Sequence, residues 1–347
     1  MKYIGRKRLW IYKMLLMCTV LFTGCSIAPS QKITHVDTAM GTVVQQTLYV
    51  NANPQKTAEY EKVTGELMDL LDSLEKETLS WREEASEIYR INSAGKESVL
   101  SAPMQLYLDN IKDVWEKSGG ALDVTVGNVT ELWNIDTYAV NDNMEFSLPT
   151  QQELEDALAA TGFEKVKLED GKIYLPEDIK LDLGAVGKGI ACDEVHAFLA
   201  EKEWITGAVV SIGGSVLTYG EKPDGSSFKV AVTHPRKEGE SIAVLELAGG
   251  LCVSTSGDYE RYAEKDGVRY HHIMDPKTGY PADSGLISVT VVSESGLLSD
   301  ALSTACFILG KEAGLALAEQ YDAEALLIDQ DLQFSMTEGM DKLLIMR

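Results

Sequence analysis

Cysteine is scarce in this sequence, which has five cysteines among 347 residues. The chain contains no CxxC pair and no paired spacing typical of a metal site, which excludes the common structural zinc motifs. Cys192, Cys252 and Cys306 lie among apolar neighbours, so we expect buried small hydrophobic side chains rather than a disulfide framework.

Basic residues are also few: 31 Lys and Arg stand against 54 Asp and Glu, and the formal net charge is −23. An acidic surface repels nucleic acid and anionic lipid head groups, which argues against attachment to either through a basic patch. An anionic ligand must therefore be bound by local groups such as a metal ion, a lysine or backbone amides. The rest of the composition, with 45% hydrophobic and 24% charged residues, is that of a globular protein.

Long apolar runs are absent apart from residues 14–22, which follow a basic start and lead into Thr23-Gly24-Cys25. This order predicts a secretory signal. A small residue directly before a cysteine resembles a bacterial lipoprotein signal, in which Cys25 becomes the lipid-bearing N-terminus. The alternative is an uncleaved membrane anchor, but a bilayer-spanning helix needs about 20 residues.

We therefore expect residues 1–24 to form a signal peptide and 25–37 a lipidated tether. The folded domain, 38–347, should lie at the cell membrane, lipid-anchored on its extracytoplasmic face.

Hydrophobic periodicity predicts helices and short strands in mixed order. The predicted helices cover 57–77, 104–117, a segment that starts after Pro149, 188–200 and 300–320. The predicted strands cover 43–50, 172–175, 179–183, 208–212, 229–232, 242–247, 286–292 and 325–328. Short turns such as Asp170-Gly171 favour antiparallel sheets with helices packed against them, so the fold class is α+β.

The segment STSGDYERYAEKDGVRYHHIMDPKTGYP, 254–281, combines turn glycines with several groups that can carry protons or ligands. These groups are Asp258, His271, His272 and Asp275. Such a density of polar residues is typical of an active-site loop. The alternative is a hairpin with solvated charges.

Two further segments contain candidate ligand-binding residues. In LDLGAVGKG, 181–189, glycines precede a predicted helix start near Lys188, where free N–H groups and the helix dipole favour an anion. In DALSTA, 300–305, Asp300, Ser303 and Thr304 share one face if the segment is helical, and their oxygens suit Mg²⁺. The alternatives are a solvated lysine and a helix N-cap at Ser299 or Asp300.

These motifs, together with Met40-Gly41-Thr42 and SGGALDVTVG at 118–127, occur in the order found in the ApbE family of FAD:protein FMN transferases, which this chain resembles from about Thr38 to its C-terminus. From its residues alone, 118–127 is equally well explained as an edge strand that alternates Asp123 and Thr125 with apolar residues. The resemblance implies a duplicated T-fold-like architecture with FAD between two lobes.

The resemblance also implies roles for individual residues. Those expected to contact the flavin nucleotide are Met40, Trp81, Ala121, Leu122, Asp123, Asp182, Lys188 and Met274. Asp300 and Thr304 would hold Mg²⁺ through their side chains, and Ala185 and Ser303 through the backbone. His272 would be the catalytic base, with Asp258 orienting it or sharing its role.

The implied reaction is transfer of the FMN moiety of FAD to a threonine hydroxyl of a target protein, with release of AMP. The expected acceptor is a membrane redox subunit or an extracellular flavoprotein with a threonine flavinylation motif. Two alternatives are an exported FAD pyrophosphatase, which gives FMN and AMP, and a non-catalytic flavin-binding lipoprotein.

Overall fold

The computed structural model describes residues 30–140 and 144–346. The predicted signal peptide and Cys25 lie outside these residues. Sixteen strands occur in the described residues: β1 (Ser30–Ala39), β2 (Thr42–Asn51), β3 (Glu97–Val99), β4 (Lys167–Glu169), β5 (Lys172–Tyr174), β6 (Ile205–Ile212), β7 (Ser215–Gly220), β8 (Phe228–Thr233), β9 (Ser241–Leu247), β10 (Leu251–Gly257), β11 (Tyr262–Lys265), β12 (Val268–His271), β13 (Leu286–Ser293), β14 (Glu324–Asp329), β15 (Phe334–Met336) and β16 (Leu344–Met346).

The α-helices of the described residues are α1 (Thr57–Ser73), α2 (Glu87–Ala94), α3 (Ala102–Lys117), α4 (Gly127–Trp133), α5 (Ile135–Val140), α6 (Gln151–Ala159), α7 (Gly187–Ala200), α8 (Gly296–Leu309), α9 (Lys311–Gln320) and α10 (Glu338–Leu343). A π-helical turn, Leu74–Leu79, continues α1, and short 3-10 turns occupy Pro54–Lys56 and Phe163–Lys165. None of the described helices combines the length and the apolar content that a membrane span requires.

An eight-stranded antiparallel sheet in the order β1-β2-β6-β7-β10-β13-β14-β15 forms the centre of the fold. Alternate residues of a strand point to opposite faces, and the two faces have different cores. On β10, Cys252 belongs to the large core that includes α1, α7 and α8, whereas Val253 packs against the small sheet β16-β9-β8. The predicted α+β class is confirmed.

The first strand corrects the predicted tether. β1 pairs with β2 along its whole length, from Ser30 opposite Asn51 to Ala39 opposite Thr42. The chain is therefore part of the sheet from Ser30 onward, and the expectation of a tether over 25–37 is wrong for its second part. β1 is an edge strand that buries little of its surface, so its polar composition was read as that of a linker.

One predicted strand, and one segment for which an edge strand was the alternative, are buried loops. Residues 121–126 and 179–183 form no strand beyond one parallel bridge between Val126 and Lys180. The apolar residues in both segments are buried because both lie against the large core and the cavity described below. Alternation of residue types was therefore misleading, and the edge-strand alternative for 118–127 is wrong.

The predicted helix 300–320 is two helices. α8 begins one turn earlier, where the Ser295 hydroxyl accepts a hydrogen bond from the Leu298 N–H at 3.3 Å, and it ends before Gly310, whose φ is 80°. Ser295 is thus the N-cap, and the alternative that placed the cap at Ser299 or Asp300 is wrong. Asp300 instead lies on the buried side of the second helical turn.

Candidate functional site

A cavity of about 240 Å³ lies where α7, α8, the π-helical turn and the loop 272–276 meet. It collects every described residue to which the family resemblance gives a role, except Asp258 and Ser303. These lining residues are Met40, Trp81, Ala121, Leu122, Asp123, Asp182, Ala185, Lys188, His272, Met274, Asp300 and Thr304. His271 and Asp275 of the segment 254–281 do not line it either. Segments that are up to 264 positions apart in the sequence thus share one cavity.

The crossing of α7 and α8 places Lys188 beside Asp300, and two glycines make this crossing possible. A Cβ atom on Gly189 would lie 2.1 Å from the Gly296 carbonyl oxygen, and one on Gly296 would lie 2.2 Å from the Gly189 oxygen. The helices therefore touch through their backbones. The Gly189 N–H donates to the Asp300 carboxylate at 2.9 Å. The glycines of LDLGAVGKG thus serve helix packing as well as the turn.

Asp300 is buried, and this burial raises the pKa of its carboxyl, while Lys188 opposes the shift. Behind it lies a row of buried hydroxyls: Ser215 hydrogen-bonds the carboxylate, and the Ser254 hydroxyl donates to Ser215 at 3.1 Å. Thr304 lies 3.3 Å from the Ser256 hydroxyl. This second layer fixes the orientation of the two side chains that face the cavity.

The donor set at this end of the cavity fits a hard cation. Among the described residues no cluster of three or more His, Cys, Asp or Glu could hold a metal ion. Mg²⁺ does not require such a cluster, since it usually keeps several waters and binds one or two carboxylates together with substrate phosphates. Asp300, Thr304 and the Ala185 backbone offer carboxylate, hydroxyl and carbonyl oxygens on the same cavity.

Ser303 takes a different position from these three residues. Its hydroxyl donates to the Asp300 carbonyl at 2.9 Å and lies 2.8 Å from the Ser256 hydroxyl, and Ser303 does not line the cavity. A side-chain role in cation binding is therefore not supported by this arrangement.

The two adjacent histidines have different environments. His271 is buried, and both of its ring nitrogens are used by the backbone: Nε2 lies 3.0 Å from the Ala282 oxygen, and Nδ1 accepts from the Ile273 N–H at 3.2 Å. His271 therefore stabilises the end of the hairpin β11–β12. The hairpin that was the alternative for this segment exists, and it supports the residue that follows.

His272 lines the cavity, with Nδ1 3.2 Å from the Arg261 carbonyl oxygen. A carbonyl can only accept, so Nδ1 carries the proton in this contact and Nε2 is left as the accepting nitrogen. Burial, the Arg261 guanidinium and Lys188 lower the pKa of His272 to about 3. The imidazole is therefore neutral at pH 7, with Nε2 open to accept a hydrogen bond, and the same surroundings weaken it as a base.

Asp258 does not occupy its predicted position beside His272. Its two carboxylate oxygens accept from both terminal nitrogens of Arg236 at 2.7 Å, and Arg269 lies 3.8 Å away. Within the described residues this carboxylate lies outside the cavity, and the expected orienting contact with His272 is not formed. The bidentate pair instead ties the end of β10 to the loop after β8.

Asp123 and Asp182 combine a place on the cavity with contacts to their own loops. Asp123 accepts from the N–H of Thr125 at 2.8 Å and from that of Phe163 at 3.0 Å, and Asp182 accepts from the Gly184 N–H at 2.8 Å. Burial raises the pKa of both carboxyls. Their carboxylates therefore hold the loops that present the neighbouring backbone to the cavity.

Sequence reasoning missed five charged residues that line the cavity: Glu75, Arg82, Asp136, Glu260 and Arg261. Glu75 lies in the π-helical turn and accepts from the Met40 N–H at 3.0 Å. π-helical turns often occur at functional sites, but no sequence pattern announces one. Glu260 and Arg261 lie inside the recognised loop and could have been found. Asp136, on the short helix α5, has no such signal.

Trp81 lines the cavity and has two cations near its ring. The Arg82 guanidinium carbon is 4.0 Å from its ring centroid and the Lys180 ammonium 5.2 Å. Both distances are within the range of cation–π contacts, which hold the indole in place. The ring therefore forms a fixed wall of the cavity.

The chain is similar to proteins of one family along most of its length. Residues 40–327 match the ApbE family. The FAD:protein FMN transferase of Vibrio cholerae is 31% identical over 319 residues, which cover 89% of this chain and 90% of that protein. That of Treponema pallidum is 30% identical over 331 residues, with 89% and 88% covered.

Solved structures show the same likeness. The ApbE protein of Thermotoga maritima superimposes with a TM-score of 0.79 at 30% identity, covering 90% of this chain and 99% of that chain. The apo form of the Pseudomonas stutzeri flavinyl transferase ApbE gives a TM-score of 0.76 at 29% identity, with 90% and 97% covered.

Proposed function

The chain belongs to the ApbE family, and we propose that it transfers the FMN moiety of FAD to a threonine hydroxyl of a separate extracytoplasmic protein, with release of AMP. Curated relatives are FAD:protein FMN transferases, which supports flavin transfer by this enzyme. The observation that carries the finer proposal is the arrangement of one neutral histidine, His272, on the same cavity as Asp300, Thr304 and Lys188.

In the proposed reaction, Nε2 of His272 takes the proton of the acceptor hydroxyl. The hydroxyl oxygen forms a bond to the phosphorus next to the FMN half of FAD. The bond from that phosphorus to the bridging oxygen breaks, and AMP leaves with the electron pair. His272 is suited to this step because its imidazole is neutral and the Arg261 carbonyl fixes its tautomer.

The proposed cation is Mg²⁺, held by the side chains of Asp300 and Thr304 and by backbone carbonyls of Ala185 and Ser303. When bound, it would offset the negative charge on the pyrophosphate. Met40, Trp81, Ala121, Leu122, Asp123, Asp182, Lys188 and Met274 would contact the nucleotide. Of these, Lys188 supplies a positive charge at the start of α7, where the helix dipole also favours an anion.

The proposal is tested by incubating the protein with FAD, Mg²⁺ and a panel of extracytoplasmic candidate acceptors, and by measuring acceptor mass and free AMP. His272→Ala should still bind FAD but transfer FMN roughly a hundredfold more slowly. His35→Ala, on the edge strand β1, is the matched control and should keep the wild-type rate.

Each alternative has its own result in the same assay. FMN and AMP released without acceptor labelling would identify an FAD pyrophosphatase. FAD binding without turnover would identify a flavin-binding lipoprotein. Equal rates for His272→Ala and the wild type would remove His272 from the mechanism.

We also propose that Cys25 is lipidated and anchors the enzyme to the extracytoplasmic face of the cell membrane. The support is the basic and apolar N-terminal sequence that leads into Thr23-Gly24-Cys25. Cys25→Ala should release or misprocess the protein in a membrane fractionation. Unchanged processing and membrane attachment would contradict the lipid anchor.

A further inference from the structure

A carboxylate that the sequence did not indicate lies between two arginines at the cavity. Asp136 Oδ1 accepts from Arg261 Nη1 at 3.0 Å, and Oδ2 accepts from Arg82 Nη2 at 3.4 Å. The Asp136 side chain retains 32% of its exposure, and all three residues line the cavity. Asp136 thus joins the segment after the π-helical turn to the start of the hairpin β11–β12, which ends one residue before His272.

Arg261 contacts the proposed base through its backbone and brings a positive charge close to it. Its carbonyl oxygen lies 3.2 Å from His272 Nδ1 and also accepts from the His272 N–H at 3.1 Å. The guanidinium of the same residue disfavours a positively charged imidazole, as do Lys188 and His271, whereas Asp136 favours it. A base that accepts a proton beside an uncompensated arginine would be weak.

We propose that Asp136 is a positioning residue for the transfer reaction. It holds the Arg261 guanidinium, and its negative charge offsets that cation, so that His272 can receive the proton of the acceptor hydroxyl. This inference rests on the proposed function, because it assigns Asp136 to the same proton transfer. It gives Asp136 the supporting role that the sequence had suggested for Asp258.

The electrostatics of Asp136 itself agree with this role. Burial raises the pKa of its carboxyl, but Arg261 and, to a smaller extent, His272 and Arg82 outweigh burial, and the net shift is downward. Asp136 therefore remains ionised at neutral pH. Among the described residues, the charged groups that act most strongly on His272 are the cations Arg261 and Lys188 and the anion Asp136.

Substitutions at three positions separate a charge effect from a structural one. Asp136→Asn keeps the size of the side chain, and we expect FMN transfer about tenfold slower, the equivalent of one pKa unit, with unchanged FAD affinity. Adding Arg261→Gln restores the net charge beside His272, and the double variant should recover most of the lost rate. Adding Arg82→Gln to Asp136→Asn is the matched control. Arg82 binds the same carboxylate but is not among the residues that act most strongly on His272, so the FMN transfer rate of this double variant should stay low.

A measurement without FAD separates this proposal from the proposed function. In protein with labelled histidines, the NMR titration midpoint of His272 should rise in Arg261→Gln and fall again by about one pH unit when Asp136→Asn is added. The inference is overturned if the His272 titration midpoint does not change when Asp136→Asn is added. It is also overturned if Arg261→Gln does not restore the FMN transfer rate of the Asp136→Asn variant. If the midpoints shift as expected but no acceptor is labelled, the charge effect stands and the transferase proposal fails.

Discussion

The two faces of the eight-stranded sheet are buried to a similar degree but differ in chemistry. Ser254 on β10 lies opposite Ser215 on β7, and both hydroxyls point toward α8 and the cavity. The next pair, Val253 opposite Val216, faces the small sheet β16-β9-β8. Ser254 is fully buried and Val253 retains 2% of its exposure.

The comparison shows that burial does not identify the face that carries the cavity, and neither does hydrogen bonding alone, because Thr218 and Thr290 on the small-sheet side are buried and their hydroxyls also have partners. The cavity side is distinguished by where its row of hydroxyls ends, which is at Asp300. Buried hydroxyls are tolerated on the cavity side because each finds a partner, and the last one reaches Asp300. On the other face, apolar side chains need no partner and contribute mainly to stability. Substitutions on the two faces should therefore affect different properties.

The largest expected effect is on the cavity side, at Asp300. Asp300→Asn keeps the shape and an acceptor for the Gly189 N–H but removes the charge, so FAD turnover should fall by roughly 10²–10³-fold at low Mg²⁺. Raising the Mg²⁺ concentration should recover part of the lost turnover. Thermal stability should hold, because a buried carboxylate is costly to keep charged. Wild-type turnover at low Mg²⁺ would remove Asp300 from the cation site.

The second prediction tests whether the contact between α7 and α8 is needed for both stability and turnover. Gly189→Ala places a Cβ 2.1 Å from the Gly296 oxygen, so α7 and α8 must separate. We expect a loss of more than about 3 kcal/mol of unfolding free energy, at the upper end for single substitutions, together with lost turnover.

Gly65→Ala on α1 is the control, because nothing lies within 4 Å of a Cβ there. It should raise stability by about 0.5–1 kcal/mol. Denaturant unfolding of both variants measures the difference, and equal effects would refute the backbone contact.

The smallest effects sharpen the comparison between the two faces. Val253→Ala should cost about 2 kcal/mol of unfolding free energy through lost burial and a cavity, with unchanged turnover per folded molecule. Ser215→Ala should raise the Mg²⁺ concentration needed for half-maximal turnover about tenfold, because Asp300 loses a supporting hydrogen bond. If both variants changed only stability, the division between the faces would be wrong.

The sequence was most informative where a pattern repeats locally. Helix periodicity predicted α3 and α7 within two residues at each end, and the strands β2, β6 and β13 were found because they are short segments rich in valine and isoleucine. In the eight-stranded sheet β1, β7, β10 and β15 were missed, β1 because an edge strand buries little of its surface. The loop 179–183 was mistaken for a strand, and an edge strand was the alternative for 118–127, because apolar residues in both segments are buried by tertiary packing.

The residues of the site also fall into those that a local motif predicts and those that only the fold brings together. His272, Lys188 and Asp300 were found from motifs, since each lies in a segment with its own signal. Asp136 was not, because its neighbours Arg82 and Arg261 are 54 and 125 positions away in the sequence. Only the folded chain shows that Asp258 pairs with Arg236 and that Asp136, not Asp258, shares the cavity with His272.

The early start of β1 limits where the enzyme can work if Cys25 is lipidated as proposed. Five residue steps separate Cys25 from Ser30, and a fully extended chain covers at most about 18 Å in that distance. Along β1, the ten residues from Ser30 to Ala39 span about 30 Å before Met40 reaches the cavity. The anchor would then hold the cavity within about 50 Å of the bilayer, so that only acceptor hydroxyls within that distance could be modified. Encounters between the enzyme and its acceptor would be confined to this layer above the membrane.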